Sequence, residues 1–515
     1  MKLLWVPVLL RLGVFGADCE ALSKLSLPYT ELTLAQTVTT GSLQPPYGSQ
    51  LTNLPPICRV AGVIRPTSDS EIHFEVWMPV SRWTKKFQGI GNGGFAGSIS
   101  FSALADAVRQ GYAAASTDTG HRGGGQDARW ALHHPEKIVD FGHRAIHEMT
   151  VKAKAIVTAY YGEPPKRSYF SSCSNGGRQA LMEAQRYPED YDGIIAGAPA
   201  HHWSHLLTMA ARNVQLLSNP AAYIPAKKLP AIQAAALAAC DLNDQVKDGV
   251  VENPASCRFD PARLRCQGPE NDQCLTEPQL QALRTIYDGL RNKKGKLLFP
   301  GFPMSGEADP GGWGPWITGA SLEKSSMYAF ATNFFKYMVY SDPNWDIQRF
   351  QLERDLQAAV KLAPVLDATN PDLTPFYRRG GKLILYHGWC DAAIPAGSAI
   401  QYYESVKRKM GARRTSEFLR LFLLPGVQHC AGGAGPNLFG QLGPARGDPS
   451  NNVAAALERW VEAGVAPEQI IATRQNPVRS RPICAYPKIA RYKGSGSTDE
   501  AANFECAFAK PLKVQ

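Results

Sequence analysis

The chain has 515 residues, 44% of them hydrophobic, which is long for one domain on a prior of roughly 150 residues each. Lys and Arg number 55 against 45 Asp and Glu, a surplus spread along the sequence with no basic run interleaved with aromatics. That excludes an obvious nucleic-acid-binding surface and fits solubility with mild attraction for anionic substrates or surfaces.

The amino terminus, Met1-Lys2-Leu3-Leu4-Trp5-Val6-Pro7-Val8-Leu9-Leu10, is a basic start followed by a short apolar core. With the small residues Gly13 to Ala17 after it, residues 1–17 read as a secretory signal peptide, although Arg11 interrupts the apolar run. No later segment reaches transmembrane length, so no stable membrane association is expected. Eleven cysteines fit an oxidising compartment, and the chain is expected to be secreted or periplasmic. No pair has zinc-finger spacing.

Cys19 to Cys58 is Thr-, Leu- and Pro-rich and reads as an irregular segment stapled to the body. Glu71 to Pro79 alternates polar and apolar residues, as a half-buried strand does. A short strand, Phe87 to Ile90, then opens into Gly91-Asn92-Gly93-Gly94-Phe95-Ala96-Gly97. Glycines there let backbone N–H groups approach a ligand, and a plain glycine-rich turn is the alternative. Ala113 to Thr117 is a buried strand, followed by Asp118 and His121. A helix follows, with Ile138, Phe141, Ala145, Met149, Ala153, Ile156 and Tyr160 at steps of three and four, ended by Gly162 and Pro164.

Next comes the stretch that carries chemistry. A strand-like run, Ser168 to Ser171, leads into Ser172-Cys173-Ser174-Asn175-Gly176-Gly177, and a helical segment, Gly176 to Tyr187, follows at once. This is the shape of a nucleophile elbow, a sharp turn that lifts a serine above a sheet, although Ser172 stands where G-x-S-x-G has glycine. The bland alternative is a Ser/Gly-rich turn between strand and helix. Asp192 to Pro199 closes this half of the sheet.

From Pro199 to about Asn370 strand–helix alternation stops, and residues 200–371 read as a lid inserted between core strands. Its aromatics include Trp313, Trp316 and Phe330, candidates for stacking on a flat substrate. Alternation then resumes. Lys382 to Tyr386 runs into His387-Gly388-Trp389-Cys390-Asp391, and Glu417 to Leu424 runs into Pro425-Gly426-Val427-Gln428-His429-Cys430. Two strands thus deliver an acid and then an imidazole at their carboxyl ends, in the chain order of an α/β-hydrolase triad. The expected fold class is α/β, an α/β-hydrolase core of residues 18–199 and 372–515 with the lid inserted.

In this reading Ser174 is the nucleophile, His429 its base, and Asp391 the group that fixes the imidazole tautomer. The backbone N–H groups of Gly93 and Asn175 are the candidate oxyanion donors. Asp118 and His121 precede the nucleophile, out of order for a triad, and are read as structural or pocket-wall residues. Cys173 and Cys430 flank Ser174 and His429 symmetrically. A disulfide between them is worth about 5 kcal/mol in the loop-entropy picture and would hold nucleophile and base together.

Cys-Ser, a later Asp and a final His-Cys resemble the tannase/feruloyl esterase family over nearly the whole chain. The resemblance includes Gly91 to Gly97, Thr117-Asp118-Thr119-Gly120-His121, the Asp-rich loop near Asp241, and the tail from Arg481 to Cys506. It implies an esterase acting on small aromatic esters. Sequence does not fix cysteine connectivity, but locality suggests Cys19–Cys58, Cys240–Cys257, Cys266–Cys274 and Cys484–Cys506 beside Cys173–Cys430, and the resemblance supports the same set. Cys390 is left over and reads as a buried, unreactive thiol.

Asp241-Leu242-Asn243-Asp244-Gln245-Val246-Lys247-Asp248-Gly249-Val250 has carboxylates at short spacing that suit a hard cation, without EF-hand spacing. A solvated acidic turn is the alternative. The resemblance implies a structural calcium ion (Ca2+) held by Asp241, Asp244 and Asp248 through side chains and by Val246 and Val250 through carbonyls.

Family substrates span galloyl, feruloyl and terephthalate-monoester acyl groups, all flat and aromatic. A free carboxylate is best held by arginine, and Phe302 to Ile347 has none, only Lys324 and Lys336, although Arg212 lies elsewhere in the lid. Ser325, Ser326 and Asn333 offer neutral partners for phenolic hydroxyls. Phenolic esters are therefore expected first and the terephthalate monoester after them. A peptidase or lipase with the same triad, or a binding protein with a dead one, are the competing readings.

Overall fold

The computed structural model describes residues 17–509. The expected signal peptide lies outside the described residues except for its last, Ala17.

Nine strands form one mixed sheet: β1 (Thr30–Val38), β2 (Ile57–Ile64), β3 (Ile72–Pro79), β4 (Lys86–Ile90), β5 (Ala113–Thr117), β6 (Arg167–Cys173), β7 (Gly193–Gly197), β8 (Lys382–Gly388) and β9 (Leu419–Leu424). Their order is β1-β2-β3-β5-β4-β6-β7-β8-β9. The first three strands and β5 pair antiparallel, and every pair from β5 to β9 is parallel. Strand order reverses at β4, whose successor β5 lies on one side and β6 on the other. Such a switch point opens a crevice at the carboxyl ends of the two strands, where ligands bind in open α/β sheets.

The edge strand β1 has no buried residue, whereas the strands inward from it are mostly buried because helices cover both faces. In β8, Leu383 and Leu385 point to one core, and Ile384 and Tyr386 to the other. Helices α2 (Ala145–Tyr161) and α3 (Asn175–Arg186) pack on the first face with Gly397–Met410. Helix α1 (Phe101–Arg109) packs on the opposite face with Val453–Ala463. The two-residue alternation of a strand thus feeds two cores at once.

Between β7 and β8 the chain leaves the sheet for a mostly helical segment with its own core. It opens with α4 (Trp203–Leu217) and carries α5 (Ser326–Asn333). Its core includes Trp203, Leu207, Phe302 and Phe334 and runs without a break to Ala392 and Ile394 beside β8. The segment therefore roofs the carboxyl ends of the strands.

Disulfides join Cys19 to Cys58, Cys173 to Cys430, Cys240 to Cys257, Cys266 to Cys274 and Cys484 to Cys506. Cys390 is free and buried. The carboxy-terminal hairpins, Gln469–Gln475 with Val478–Cys484 and Lys488–Tyr492 with Phe504–Phe508, pack on the Asp-rich loop. Arg481 lies 3.9 Å over the Phe504 ring and donates to the Asp248 carboxylate at 2.7 Å. The tail is a clamp on that loop, a role the sequence alone left open. Among the described residues no helix is long and apolar enough to cross a membrane.

Candidate active site

Ser174 sits between β6 and α3 with φ +67° and ψ −126°, a region that costs a side chain energy and marks a constrained turn. Its N–H donates to Gly197 O at 2.9 Å, and its own carbonyl accepts from Ala200 N at 3.1 Å. The end of β7 and the chain beyond it therefore fix the elbow. The missing first glycine has a steric explanation. Ser172 fits because its neighbours are bare: a Cβ on Gly176 would lie 1.9 Å from Ser172 Oγ, and one on Gly91 2.8 Å from it. The room normally left by a glycine at 172 is supplied by Gly91 and Gly176.

Asp391 and His429 follow β8 and β9, neighbours in the sheet. His429 Nδ1 lies 2.8 Å from Asp391 Oδ2. Asp391 Oδ1 accepts from the N–H groups of Ala393 and Ile394, each at 2.8 Å. A second imidazole, His387, reaches the same Oδ2 with Nε2 at 3.2 Å and Ile394 O at 2.9 Å. Burial alone would raise the Asp391 carboxyl. The His429 charge and the bonds from both histidines outweigh it and hold the group well below the usual carboxylate range. Asp391 is therefore an anion built to support a positive imidazolium. The Cys173–Cys430 disulfide, with its Cα atoms 5.9 Å apart, joins the residue before Ser174 to the residue after His429.

A pocket opens over Ser174, lined by Asn175, Gly94, the α4 residues Trp203, Leu206 and Leu207, and Trp316 and Phe330 from the roof. Its remaining lining is also uncharged, and its polar side-chain groups are those of Ser174 and Asn175 and the indole N–H groups of Trp203 and Trp316. Trp316 stacks on Phe330 at 6.2 Å and meets His429 edge-on at 5.1 Å. Trp313 does not line this pocket. It is 2% exposed, packed against Tyr287 and Phe302, because it sits at the buried root of the turn that presents Trp316.

Within the glycine loop, Gly94 lines the pocket, whereas Gly93 lines a separate cavity with Tyr47 and Phe101. Of the two glycines, it is Gly94 and not the expected Gly93 that borders the pocket over Ser174. Gly94 has φ +57°, and a Cβ there would lie 2.1 Å from Gly125 O, so the position accepts only glycine. Helix α3 sets the loop: Asn92 N donates to Gln179 Oε1 at 2.9 Å, and Asn175 Nδ2 donates to Asn92 O at 3.4 Å. Among the described residues the N–H groups of Asn92, Phe95 and Ala96 have acceptors, while those of Gly93 and Gly94 have none.

Arg178 supports the elbow from beneath and went unnoticed in the sequence. Fully buried, it donates to Asn175 Oδ1 at 2.8 Å, Gly142 O at 2.7 Å and Phe141 O at 2.9 Å. Its plane lies 4.7 Å from the Phe141 ring and 5.3 Å from Trp203, and burial lowers its pKa to about 9. A charged residue one helical turn after the elbow serine, where the neighbours are small or neutral, was the available signal.

Asp118 accepts from His73 N and Gly120 N, and His121 bonds Phe95 O at 2.7 Å while stacking on Trp130. Both shape the loop that carries Gly94. Cys390 packs against Ser305 and Gly306 of the roof, and burial raises its thiol to about 12, so it stays protonated. Arg212 donates to Gly289 O within the inserted segment and does not line the pocket. Ser325 caps α5 at Tyr328 N, Ser326 accepts from Gln126, and Asn333 bonds Ala329 O. None of these three lines the pocket.

In the Asp-rich loop, Asp241 accepts from the N–H groups of Asp248 and Gly249, Asp244 from Val246, and Asp248 from Val250. Glu252, overlooked in the sequence, is buried beneath and accepts from Ala490 N. Burial raises Glu252 to about 8 and Asp244 to about 6. Arg479 and Arg481 both pair with Asp248. The carboxyl oxygens of Asp241, Asp244, Asp248 and Glu252 gathered in one loop are a donor set that fits a hard cation.

The sheet order, the strained serine after β6 and the Asp–His pair after β8 and β9 define an α/β-hydrolase. Residues 58–507 match the family described as "Tannase and feruloyl esterase", and the chain belongs to that family. It is 43% identical to an uncharacterised esterase of Xanthomonas campestris pv. campestris, over 97% of this chain and 93% of that one. A "Probable feruloyl esterase B-1" of Aspergillus terreus is 33% identical over 87% of this chain and 86% of its own. The crystal structure of feruloyl esterase B from Aspergillus oryzae superposes with a TM-score of 0.88 at 30% identity, covering 95% of this chain and 99% of that one. The protein is a carboxylic ester hydrolase of the tannase/feruloyl esterase type.

Proposed function

We propose that the enzyme cleaves esters of flat hydroxycinnamic acids, feruloyl esters first, through an acyl-enzyme on Ser174. The observation that carries this is the uncharged, aromatic-walled pocket over Ser174. Trp316 and Phe330 are parallel and suit the faces of a planar acyl group. A galloyl ring would bury three hydroxyls where the lining offers little to pair them, and each unpaired buried hydroxyl costs about 1–3 kcal/mol. A terephthalate monoester would bury a carboxylate with no cation in the lining, which is costlier still. The names of the Aspergillus relatives point the same way.

In this mechanism His429 removes the Ser174 proton as Oγ attacks the ester carbonyl, and Asp391 stabilises the imidazolium. The N–H groups of Asn175 and Gly94 receive the oxyanion, Gly94 replacing Gly93 on the strength of the pocket lining. His429 protonates the departing alcohol, then activates water to release the acid. Phe330, Trp316 and the α4 wall exclude water from the acyl group.

The Asp-rich loop is proposed to hold Ca2+ through Asp241, Asp244, Asp248 and the carbonyls of Val246 and Val250. The ion would neutralise the loop and let it seat the carboxy-terminal hairpins, away from the chemistry. Five disulfides support a secreted or periplasmic location.

Ser174→Ala should abolish ester turnover while the protein stays folded. The kcat/KM order should be methyl ferulate, then methyl gallate, then mono(2-hydroxyethyl) terephthalate. A preference for the terephthalate ester would overturn the substrate reading and leave the nucleophile untouched.

A further inference from the structure

Behind the pocket wall lies a cluster that ester hydrolysis does not use. His202 and His205 stand at the start of α4, and Asp367 lies where the inserted segment returns to the sheet. One ligand atom from each falls within 4.8 Å of the others. His202 Nε2 is 3.8 Å from Asp367 Oδ2, and the two imidazole rings are 3.8 Å apart. We propose that His202, His205 and Asp367 form a binding site for a divalent transition metal of the zinc type.

Donor chemistry favours that class. Two imidazoles and one carboxylate are the ligand set of many zinc sites, and hard cations such as calcium prefer all-oxygen cages. Neutral imidazole is the form that ligates. The site is also supported from behind. Asp367 Oδ1 accepts from Ser204 N at 2.9 Å and Oδ2 from Ser204 Oγ at 2.6 Å, while Ser204 Oγ lies 3.0 Å from His205 Nδ1. Such outer bonds orient a carboxylate and an imidazole for a metal.

The His202 side chain is 28% exposed, so an ion can reach the cluster from solvent and a water can complete its coordination. The Arg178 guanidinium lies near Asp367, and its charge opposes a bound cation. It is engaged by the carbonyls of Phe141, Gly142 and Leu366 instead.

A metal here would tie the first turn of the inserted segment to its last. The same α4 presents Trp203, Leu206 and Leu207 to the acyl pocket, and neither histidine lines it. Occupancy would therefore stiffen the pocket wall from outside.

The test uses the full, tag-free protein in buffer containing Ca2+, titrated with Zn2+ and, separately, Co2+. Wild type should bind one Zn2+ that His202→Ala and His205→Ala each fail to bind. At a hundredfold excess over Kd its Tm should rise by about 2–3 °C. Co2+ should give the visible absorption of a four-coordinate site in wild type alone. Equal zinc uptake by wild type and both variants, or no uptake by wild type, would overturn the proposal. Asp244→Asn, which alters the Asp-rich loop, should leave the Zn2+ isotherm unchanged.

Discussion

His387 and His429 share one carboxylate oxygen, reaching Asp391 Oδ2 from Nε2 at 3.2 Å and Nδ1 at 2.8 Å. The His387 Nε2 proton is divided between that oxygen and Ile394 O, its two acceptors. His387 thus pins the loop that carries Asp391 and steadies its charge, without touching substrate.

Replacing His387 by Phe keeps a ring of similar volume and removes the donor. A hydrogen bond to a charged group is worth about 1.5–3 kcal/mol, which converts to a roughly 10- to 150-fold loss in kcat. KM for methyl ferulate should change little, and Gln, which keeps an N–H donor, should recover part of the rate. An unchanged kcat in His387→Phe would remove the positioning role.

The aromatic residues of the roof should separate into two behaviours. Trp316→Ala and Phe330→Ala should each lower kcat/KM on methyl ferulate by about tenfold or more, since a stacked aromatic pair contributes roughly 0.5–1.5 kcal/mol beyond its buried area. Trp313→Ala should instead destabilise the fold by about 3–5 kcal/mol through the cavity it leaves. Thermal melts beside steady-state kinetics distinguish the two, and a selective KM effect of Trp313→Ala would contradict its placement.

How much of this was legible in the sequence follows from which signals are local. Ser174, Asp391 and His429 could be placed because each follows a strand whose apolar run is visible in one dimension. Their chain order also matches one fold. Trp313 and Trp316 are three residues apart in a helical segment with no clean periodicity, so only packing shows which one faces the pocket. Gly93 and Gly94 look alike until the loop's path past Gly125 is known. Arg178 stands one helical turn after Ser174, but its anchors, the carbonyls of Phe141, Gly142 and Leu366, lie far along the chain and appear only in the fold. His387 reaches Asp391 and Ile394 only because the turn after β8 folds back over it. Ser325, Ser326 and Asn333 drop out as substrate partners because caps and loop contacts consume them.

Cutting the Cys173–Cys430 link should affect rate more than binding. Cys173→Ser with Cys430→Ser is expected to lower kcat by at least tenfold, because His429 then loses the covalent tie between its loop and the elbow that carries Ser174. Loss of so long a closure should also lower stability by up to about 5 kcal/mol. Both thiols found free by mass spectrometry in fully active protein would refute the link's role.

Removing calcium should be a stability effect. A chelator is expected to lower Tm, and added Ca2+ to restore it in proportion to the logarithm of its concentration. Asp244→Asn should blunt that response while kcat at a temperature well below Tm stays near wild type. A chelator-insensitive Tm in wild type would speak against the ion.

The last prediction concerns Asp118, whose carboxyl is 3% exposed and raised to about 7. Burial is the largest cause, and the N–H bonds from Gly120 and His73 oppose it only in part. Its Oδ1 takes both bonds and its Oδ2 has no partner among the described residues. Because the folded value lies above the unfolded one, near 3.9, the native state holds the extra proton between them. Stability from this group is therefore full below about pH 4 and is lost as pH rises through about 7. Asp118→Asn keeps the Oδ1 acceptor and cannot ionise, so it should escape that loss. Relative to wild type, the variant should gain a few kcal/mol between pH 4 and pH 8, an upper limit set by about three pKa units. Urea melts of both proteins at several pH values measure the difference directly. A stability gap that does not change with pH would show that Asp118 is ionised throughout, held by Arg122, the nearby cation that already opposes the shift.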